Sequence, residues 1–263
     1  PGGPPRPPPP PPARRARAAP AGPPPRAGSP PPPRHTYLNA AAASPTPRVV
    51  RAAVERHHRE LEEDGDGHWD RWLEQREAAR AAVARFVNAS PEEIAFVPNT
   101  STGINAIADL IEGDGPVLSD TLEFPTVTLP FVHRGCDVRF VEPREDGSLV
   151  AGDFCPARCA GCATLLVSHV QFSNGCRQDL DAFGTIKGTR HLVVCGSQSA
   201  GAFPIDVRRS RIDAFASAGH KWMCAGYGAG FVYLGRTLLQ RRPRTMGWLS
   251  VREPFSFDNR RHE

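Results

Sequence analysis

Only two of the 32 basic side chains in this 263-residue sequence are lysines, Lys187 and Lys221; the rest are arginines. A primary amine can condense with a carbonyl to form an imine, whereas a guanidinium stays protonated and is a poor nucleophile. A chain that otherwise uses arginine has therefore kept an amine at two places. Lys187 lies in Gly-Thr-Ile-Lys-Gly-Thr-Arg, a polar glycine-containing stretch that reads as a solvated loop. Lys221 lies in Ser217-Ala218-Gly219-His220-Lys221-Trp222, just past an apolar run and before Gly-Tyr-Gly-Ala-Gly. By position alone it reads as an ordinary solvated or ion-paired loop lysine.

Two other stretches could meet a ligand. Pro98-Asn99-Thr100-Ser101-Thr102-Gly103 precedes a helical Ile-Asn-Ala-Ile-Ala-Asp-Leu-Ile. Hydroxyls and a glycine at a helix start offer backbone N–H groups and the positive dipole end to a phosphate, although Ser and Thr are also ordinary N-caps. Gly196-Ser197-Gln198-Ser199-Ala200-Gly201 follows the run His191–Cys195. Its small residues permit close approach, and Gln198 can donate to an anionic oxygen. Neither a phosphate-loop Gly-Lys-Ser/Thr nor a GxGxxG is present, so a nucleotide is not favoured. His57 and His58 are adjacent and face different directions, which suits surface or core histidines better than one metal site.

The elements that must position these residues follow from periodicity. Residues 45–63 and 69–88 read as helices, with Val50, Val54, His57 and Leu61, then Trp72, Ala79, Val83 and Phe86, at helical spacing. Seven short apolar runs follow, at 93–97, 116–119, 137–142, 164–168, 191–195, 212–216 and 230–234, mostly separated by helix-length connections. That alternation predicts an α/β fold, a three-layer α/β/α domain with a mostly parallel seven-stranded sheet. Ligands of such sheets bind beyond the carboxyl ends of the strands, where Lys221 and both loops fall.

Composition narrows the classes further. No apolar run approaches the roughly 20 residues of a membrane-spanning helix, and no signal segment follows Pro1. Seven cysteines, an odd number, suit a reducing, cytoplasmic setting better than a disulfide framework. Residues 1–34 hold 17 of the 29 prolines and six arginines without one acidic residue. They read as a disordered tail, either a linker or a ligand for an SH3-like or anionic partner. The net charge is +4 overall and −2 over residues 35–263. The basicity is thus confined to the tail and gives no reason to invoke nucleic acid.

Five motifs in register resemble the class V aminotransferases, a group of fold-type I pyridoxal-phosphate enzymes with cysteine desulfurase-like, kynureninase-like and isopenicillin-epimerase-like branches. They are Tyr37-Leu38-Asn39-Ala40-Ala41-Ala42-Ala43-Ser44-Pro45, Asn-Thr-Ser-Thr-Gly-Ile-Asn, Ser168-His169-Val170-Gln171-Phe172-Ser173-Asn174-Gly175, Gly-Ser-Gln-Ser-Ala-Gly and Ala-Gly-His-Lys-Trp. The resemblance covers about residues 36–263 and reverses the reading of Lys221. It implies that Lys221 forms the internal Schiff base with pyridoxal 5′-phosphate and shuttles the α-proton. It further implies that Ser101, Thr102 and nearby amides hold the phosphate, assisted by His220. Phe124 would stack on the pyridine ring, and Gln198 would bond the phenolic oxygen. An amino-acid substrate and, if the chain is complete, a homodimer are expected; no nucleic acid, membrane or metal is.

Two departures qualify the activity. Where the family places an Asp against the pyridinium nitrogen, this sequence has Cys195. A carboxylate is ionised at neutrality, whereas a thiol with a pKa of about 8.5 mostly is not. An ion pair at 4 Å is worth roughly 4 kcal/mol at an effective dielectric of 20. Its loss could lower the ring nitrogen's pKa by up to about three units. The second departure is the end at Glu263, where the family's C-terminal small domain, with its substrate-binding Arg, would begin. The expectation is therefore residues 35–263 as the cofactor-binding large domain of a fragment, with a catalytically impaired or dead relative as the alternative. A competing motif, Cys155-x3-Cys159-x2-Cys162, has iron–sulfur or zinc spacing. It lacks a fourth ligand and precedes the fourth apolar run on what reads as a surface helix, so thiols without a metal are expected.

Overall fold

The computed structural model describes residues 36–154 and 160–257. The tail at 1–34, Cys155, Cys159 and the last six residues lie outside them. The described chain begins with two helices, α1 (Arg48–Asp64) and α2 (Trp69–Val87), followed by alternating strands and helices. These are β1 (Ile94–Phe96), α3 (Thr100–Ile111), β2 (Val117–Asp120), α4 (Pro125–His133), β3 (Val138–Val141) and β4 (Thr164–Ser168). Then come α5 (Leu180–Ile186), β5 (His191–Cys195), β6 (Ala214–Ala218), β7 (Gly230–Leu234) and α6 (Arg236–Leu239). One seven-stranded sheet has the order β1-β7-β6-β5-β4-β2-β3. Only β7 runs antiparallel to its neighbours, so the sheet is mostly parallel.

The central strands are apolar on both faces because helices cover both. On β5, Leu192 and Val194 face a core with α2 and α5, while Val193 and Cys195 face the opposite core with α3 and α4. On β6, Phe215 takes the first side and Ala214 and Ala216 the second. The strict alternation of the pleat thus turns Cys195 toward the face where α3 and α4 begin. Among the described residues no helix is long and apolar enough to cross a membrane.

Five local expectations change. Strand β6 begins at Ala214 rather than 212, because Asp213 is used as an anchor: its carboxylate accepts from Leu192 N and pairs with Lys187. Lys187 is correspondingly buried, not a solvated loop lysine. A single buried cation satisfied by a carboxylate from the neighbouring connection gives no periodic signal. Helix α1 forms as expected yet buries none of its residues; Val54 and Leu61 stay exposed. It leans on α2 through His57 edge-to-face with Trp72 and through Trp72 Nε1 donating to Glu60. The buried stripe of α2 is Ala84 and Val87 with Val83 beside them, while Phe86 is exposed. Of the cysteine triplet only Cys162 is described, and it is buried before β4, not on a surface helix.

Candidate active site

Helix α3 starts where Asn99, in extended conformation, accepts from the Thr102 amide at 2.9 Å. Its dipole end is thereby aimed into a cavity of about 260 Å³ beyond the strand ends. Ser101 Oγ lies 2.8 Å from Thr126 Oγ1 in the first turn of α4, so two helix N-termini meet at one pair of hydroxyls. The approach of α3 to the sheet depends on Gly103, since a Cβ there would lie 2.8 Å from Val232 and 3.1 Å from Ala216. From the end of β5, Ser197 Oγ reaches Thr100 Oγ1 at 2.6 Å and accepts from Cys195 Sγ at 3.3 Å.

Lys221 enters from the loop after β6. That loop is folded back by Gly219, whose amide donates to Ala229 O at 2.6 Å. It is held against the β5 turn by Gly201, at φ +97°, where a Cβ would stand 2.4 Å from Trp222 O. The lysine is half-buried, with Nζ 5.9 Å from the Phe124 ring centre, and burial lowers its pKa, opposed by Cys195. Among the described residues no carboxylate forms an ion pair with it. Phe124 in turn stands edge-to-face with Phe172, ring centres 5.1 Å apart. His220 stacks on Tyr227 at 4.6 Å, and burial together with Lys221 lowers its pKa, which keeps the ring neutral.

The structure gathers Ser101, Phe124, Cys195, Gln198, His220 and Lys221 around this one cavity. Thr102 is not brought into the lining: it is exposed on the first turn, its amide and hydroxyl both directed to Asn99. Asn99, Thr100 and Thr126 line the cavity in its place. Gln198 is partly committed, donating to Ala41 O at 2.9 Å and accepting from Trp222 Nε1 at 2.8 Å. Through Ala41, and through Ser44 N donating to His220 O, the N-terminal arm is tied over the site.

One group escaped the sequence reading. Glu123, beside Phe124, is buried and accepts from Ser168 N and Oγ and from Gln171 Nε2. Burial and nearby Asp120 push its carboxyl up to about 7, and burial pushes Asp120 up to about 6. The signal was present in Leu-Glu-Phe-Pro and Ser-His-Val-Gln, but only folding shows that the two stretches meet. Cys195 is raised, chiefly by burial and next by Glu123, so it is a thiol at neutrality. Among the described residues no group of three His, Cys, Asp or Glu is placed to hold a metal.

These residues suit a pyridoxal-phosphate group. Hydroxyls and two helix starts offer donors for a phosphate, a desolvated amine stands across the cavity, and an aromatic ring borders it. The strand order with its one reversed member is that of the fold-type I pyridoxal-phosphate enzymes. The model of the aminotransferase class-V family matches residues 36–260, and the chain belongs to that family, whose cofactor is pyridoxal phosphate. A probable cysteine desulfurase of Methanothermobacter thermautotrophicus is 35% identical over 212 residues, which is 76% of this chain and 52% of that protein. The apo cysteine desulfurase of Thermococcus onnurineus NA1 matches with a TM-score of 0.70 and 25% identity, over 80% of this chain and 56% of that one. A C-DES variant with glycine covalently linked to its PLP cofactor has a TM-score of 0.74 over 83% of this chain and 62% of its own; at 22% identity the likeness is one of fold. The chain spans about half the length of the first of these relatives.

Proposed function

We propose that residues 35–263 are the cofactor-binding domain of a pyridoxal-phosphate enzyme acting on an amino acid. Lys221 is the amine that would hold the cofactor through its aldehyde group. The observation that carries this reading is Lys221 itself: desolvated, without a carboxylate partner among the described residues, and across one cavity from two helix N-termini. A lowered pKa enlarges the fraction of free amine at neutrality, which is the nucleophilic form. When bound, the cofactor supplies an electron sink for the substrate's α-carbon. Ser101 and the first turn of α3, where Thr102 sits, take the phosphate, with neutral His220 as an additional donor. Phe124 and Gln198, both lining the cavity, would hold the ring and its phenolic oxygen, Gln198 with its second amide hydrogen.

Titration of the purified protein with pyridoxal phosphate is expected to give a near-visible absorption band that Lys221→Ala removes. No band in the parent protein, or a band that survives the substitution, counts against the assignment. The names of the relatives make a sulfur amino acid such as cysteine the first substrate to assay. A homodimer is part of the proposal, checked by a light-scattering mass of twice 28.5 kDa, and so is a cytoplasmic location, checked by cell fractionation.

A second reading, an impaired relative that keeps the fold for binding, is favoured by one observation: Cys195 is buried and uncharged. Gain of amino-acid turnover by Cys195→Asp would support it. Full turnover by the parent protein would remove it.

A further inference from the structure

Behind the two aromatic rings that border the cavity lies a buried clamp that the proposed function does not use. Gln171 is fully buried, and its backbone is fixed in a turn: its amide donates to Cys176 O at 2.9 Å and its carbonyl accepts from Gly175 N at 3.0 Å. Its side-chain nitrogen stands 3.2 and 3.1 Å from the two Asp120 oxygens and 3.2 Å from Glu123 Oε1. A primary amide carries two hydrogens, so one can go to each carboxyl group. Asp120 also accepts from Leu122 N, and Glu123 from Ser168 N and Oγ. Among the described residues neither acid forms an ion pair, so the shared amide is what compensates two carboxyls brought together out of water.

Packing alone does not account for a glutamine here. Its amide oxygen is buried without a hydrogen-bond partner, a cost that an apolar side chain of the same length would not carry. What the residue contributes is its pair of N–H groups. They join two loops, one after β2 and one after β4. The next residue in each loop is an aromatic ring that lines the cavity: Phe124 follows Glu123, and Phe172 follows Gln171. The rings meet edge to face, with centres 5.1 Å apart and planes at 85°. Each is 49% exposed, so the core does little to hold it, and its place follows from the anchored residue before it. Lys221 Nζ approaches the same Phe124 ring, at 5.9 Å from its centre.

We propose that Gln171 is a positioning residue of this site: by donating to both Asp120 and Glu123 it ties the loop after β4 to the loop after β2, and so holds Phe124 and Phe172 edge to face where the cofactor is received. The inference rests on the cofactor reading above for its ligand but not for the clamp. Without the amide, two buried acids would face each other with no shared donor, and the loops would part. The aromatic wall would then loosen, while Lys221, carried by the loop after β6, would keep its place.

Two measurements separate the clamp from its ligand. In the cofactor-free protein with carbon-13-labelled phenylalanine, the nuclear Overhauser contact between the Phe124 and Phe172 rings is assigned with Phe124→Leu and Phe172→Leu. It is expected in the parent and lost in Gln171→Met, at a temperature where circular dichroism shows the variant folded. Its absence from the parent, or its survival in Gln171→Met, overturns the proposal without reference to any cofactor. In the second measurement, titration with pyridoxal phosphate is expected to show affinity weaker by about tenfold or more in Gln171→Met, with the band at saturation as high as in the parent. Unchanged affinity, or a band reduced at saturation, overturns the role of the rings. Val207→Ala, a destabilising change in the core beneath α2 and α5, is expected to move neither reading; equal losses there would reduce Gln171 to a general structural role and overturn the proposal. Should Gln171→Met not fold, Gln171→Asn, which keeps an amide on a stem too short to span both acids, carries the same two readings. A parent protein that binds no pyridoxal phosphate sinks the functional reading, while the ring contact still decides the clamp.

Discussion

Glu123, a buried carboxyl with a raised pKa, couples folding to pH. Its folded-state value of about 7 lies above the ordinary 4.5, so the folded chain holds this proton more tightly than the unfolded one. The stability it contributes is complete below about pH 4.5 and is lost as pH rises through about 7. Asp120, raised from 3.8 to about 6, acts in the same direction. His169 opposes them: burial lowers it to about 4 from 6.5, so it gains stability as pH rises across that interval. Urea unfolding at a series of pH values should therefore show a smaller loss of stability between about pH 4.5 and 7 in Glu123→Gln than in the parent. An identical pH profile in the two proteins would show that Glu123 ionises in the folded state as it does in the unfolded one. Lys187 offers a second residue-scale test. Removing its charge in Lys187→Met leaves Asp213 facing the β5 amide without a cation. The Asp213 side chain is 22% exposed, which places the cost at the lower end of the roughly 3–5 kcal/mol for breaking a buried pair. A loss below about 1 kcal/mol would mean that solvent already compensates Asp213.

At the scale of elements, the active-site geometry is set by contacts between loops that are distant in sequence. The β5 turn and the Lys221 loop touch at Gly201, where both the positive φ and the nearby Trp222 carbonyl exclude a side chain. Gly201→Ala should cost about 1–3 kcal/mol through backbone strain and should displace Lys221 from the cavity. Thermal unfolding reads the first effect, and a weaker pyridoxal-phosphate band per mole of protein the second. Retention of both at parental values would show that the loop adapts without moving the lysine. Much of this scaffold was legible: the seven runs and their spacing predicted the strands, and β4, β5 and β7 match residue for residue. The start of β6 was not, because Ile212 is as apolar as a strand residue and only Asp213's anchoring role ends the preceding turn. The core-facing stripe of α2 was also displaced, since Ala84 carries little hydrophobic weight in a sequence yet fits closely against the sheet.

For the whole molecule, the proposed division at residue 34 makes a simple prediction. Deleting residues 1–34 should leave the unfolding temperature and the pyridoxal-phosphate band unchanged while turning the net charge from +4 to −2. A fall in either property would mean that the tail belongs to the folded domain. The exposed apolar side chains of α1, Val49, Val54 and Leu61, are uncovered by the other described residues.

What the sequence by itself determined is chemistry and periodicity: which side chains exist, and how often apolar ones recur. An amine retained at Lys221, hydroxyls before a helix, and a cysteine where a carboxylate is expected are all facts of residue identity, which folding cannot alter. Only the tertiary structure decided the environments. It buried Lys187 and left α1 exposed, and it turned Thr102 away from the cavity. It also brought Glu123 and Ser168, which lie on separate segments, into one hydrogen-bonded pair beside Cys195. Burial, field and proton ownership depend on distances across strands and loops, and a linear order of residues does not carry those distances.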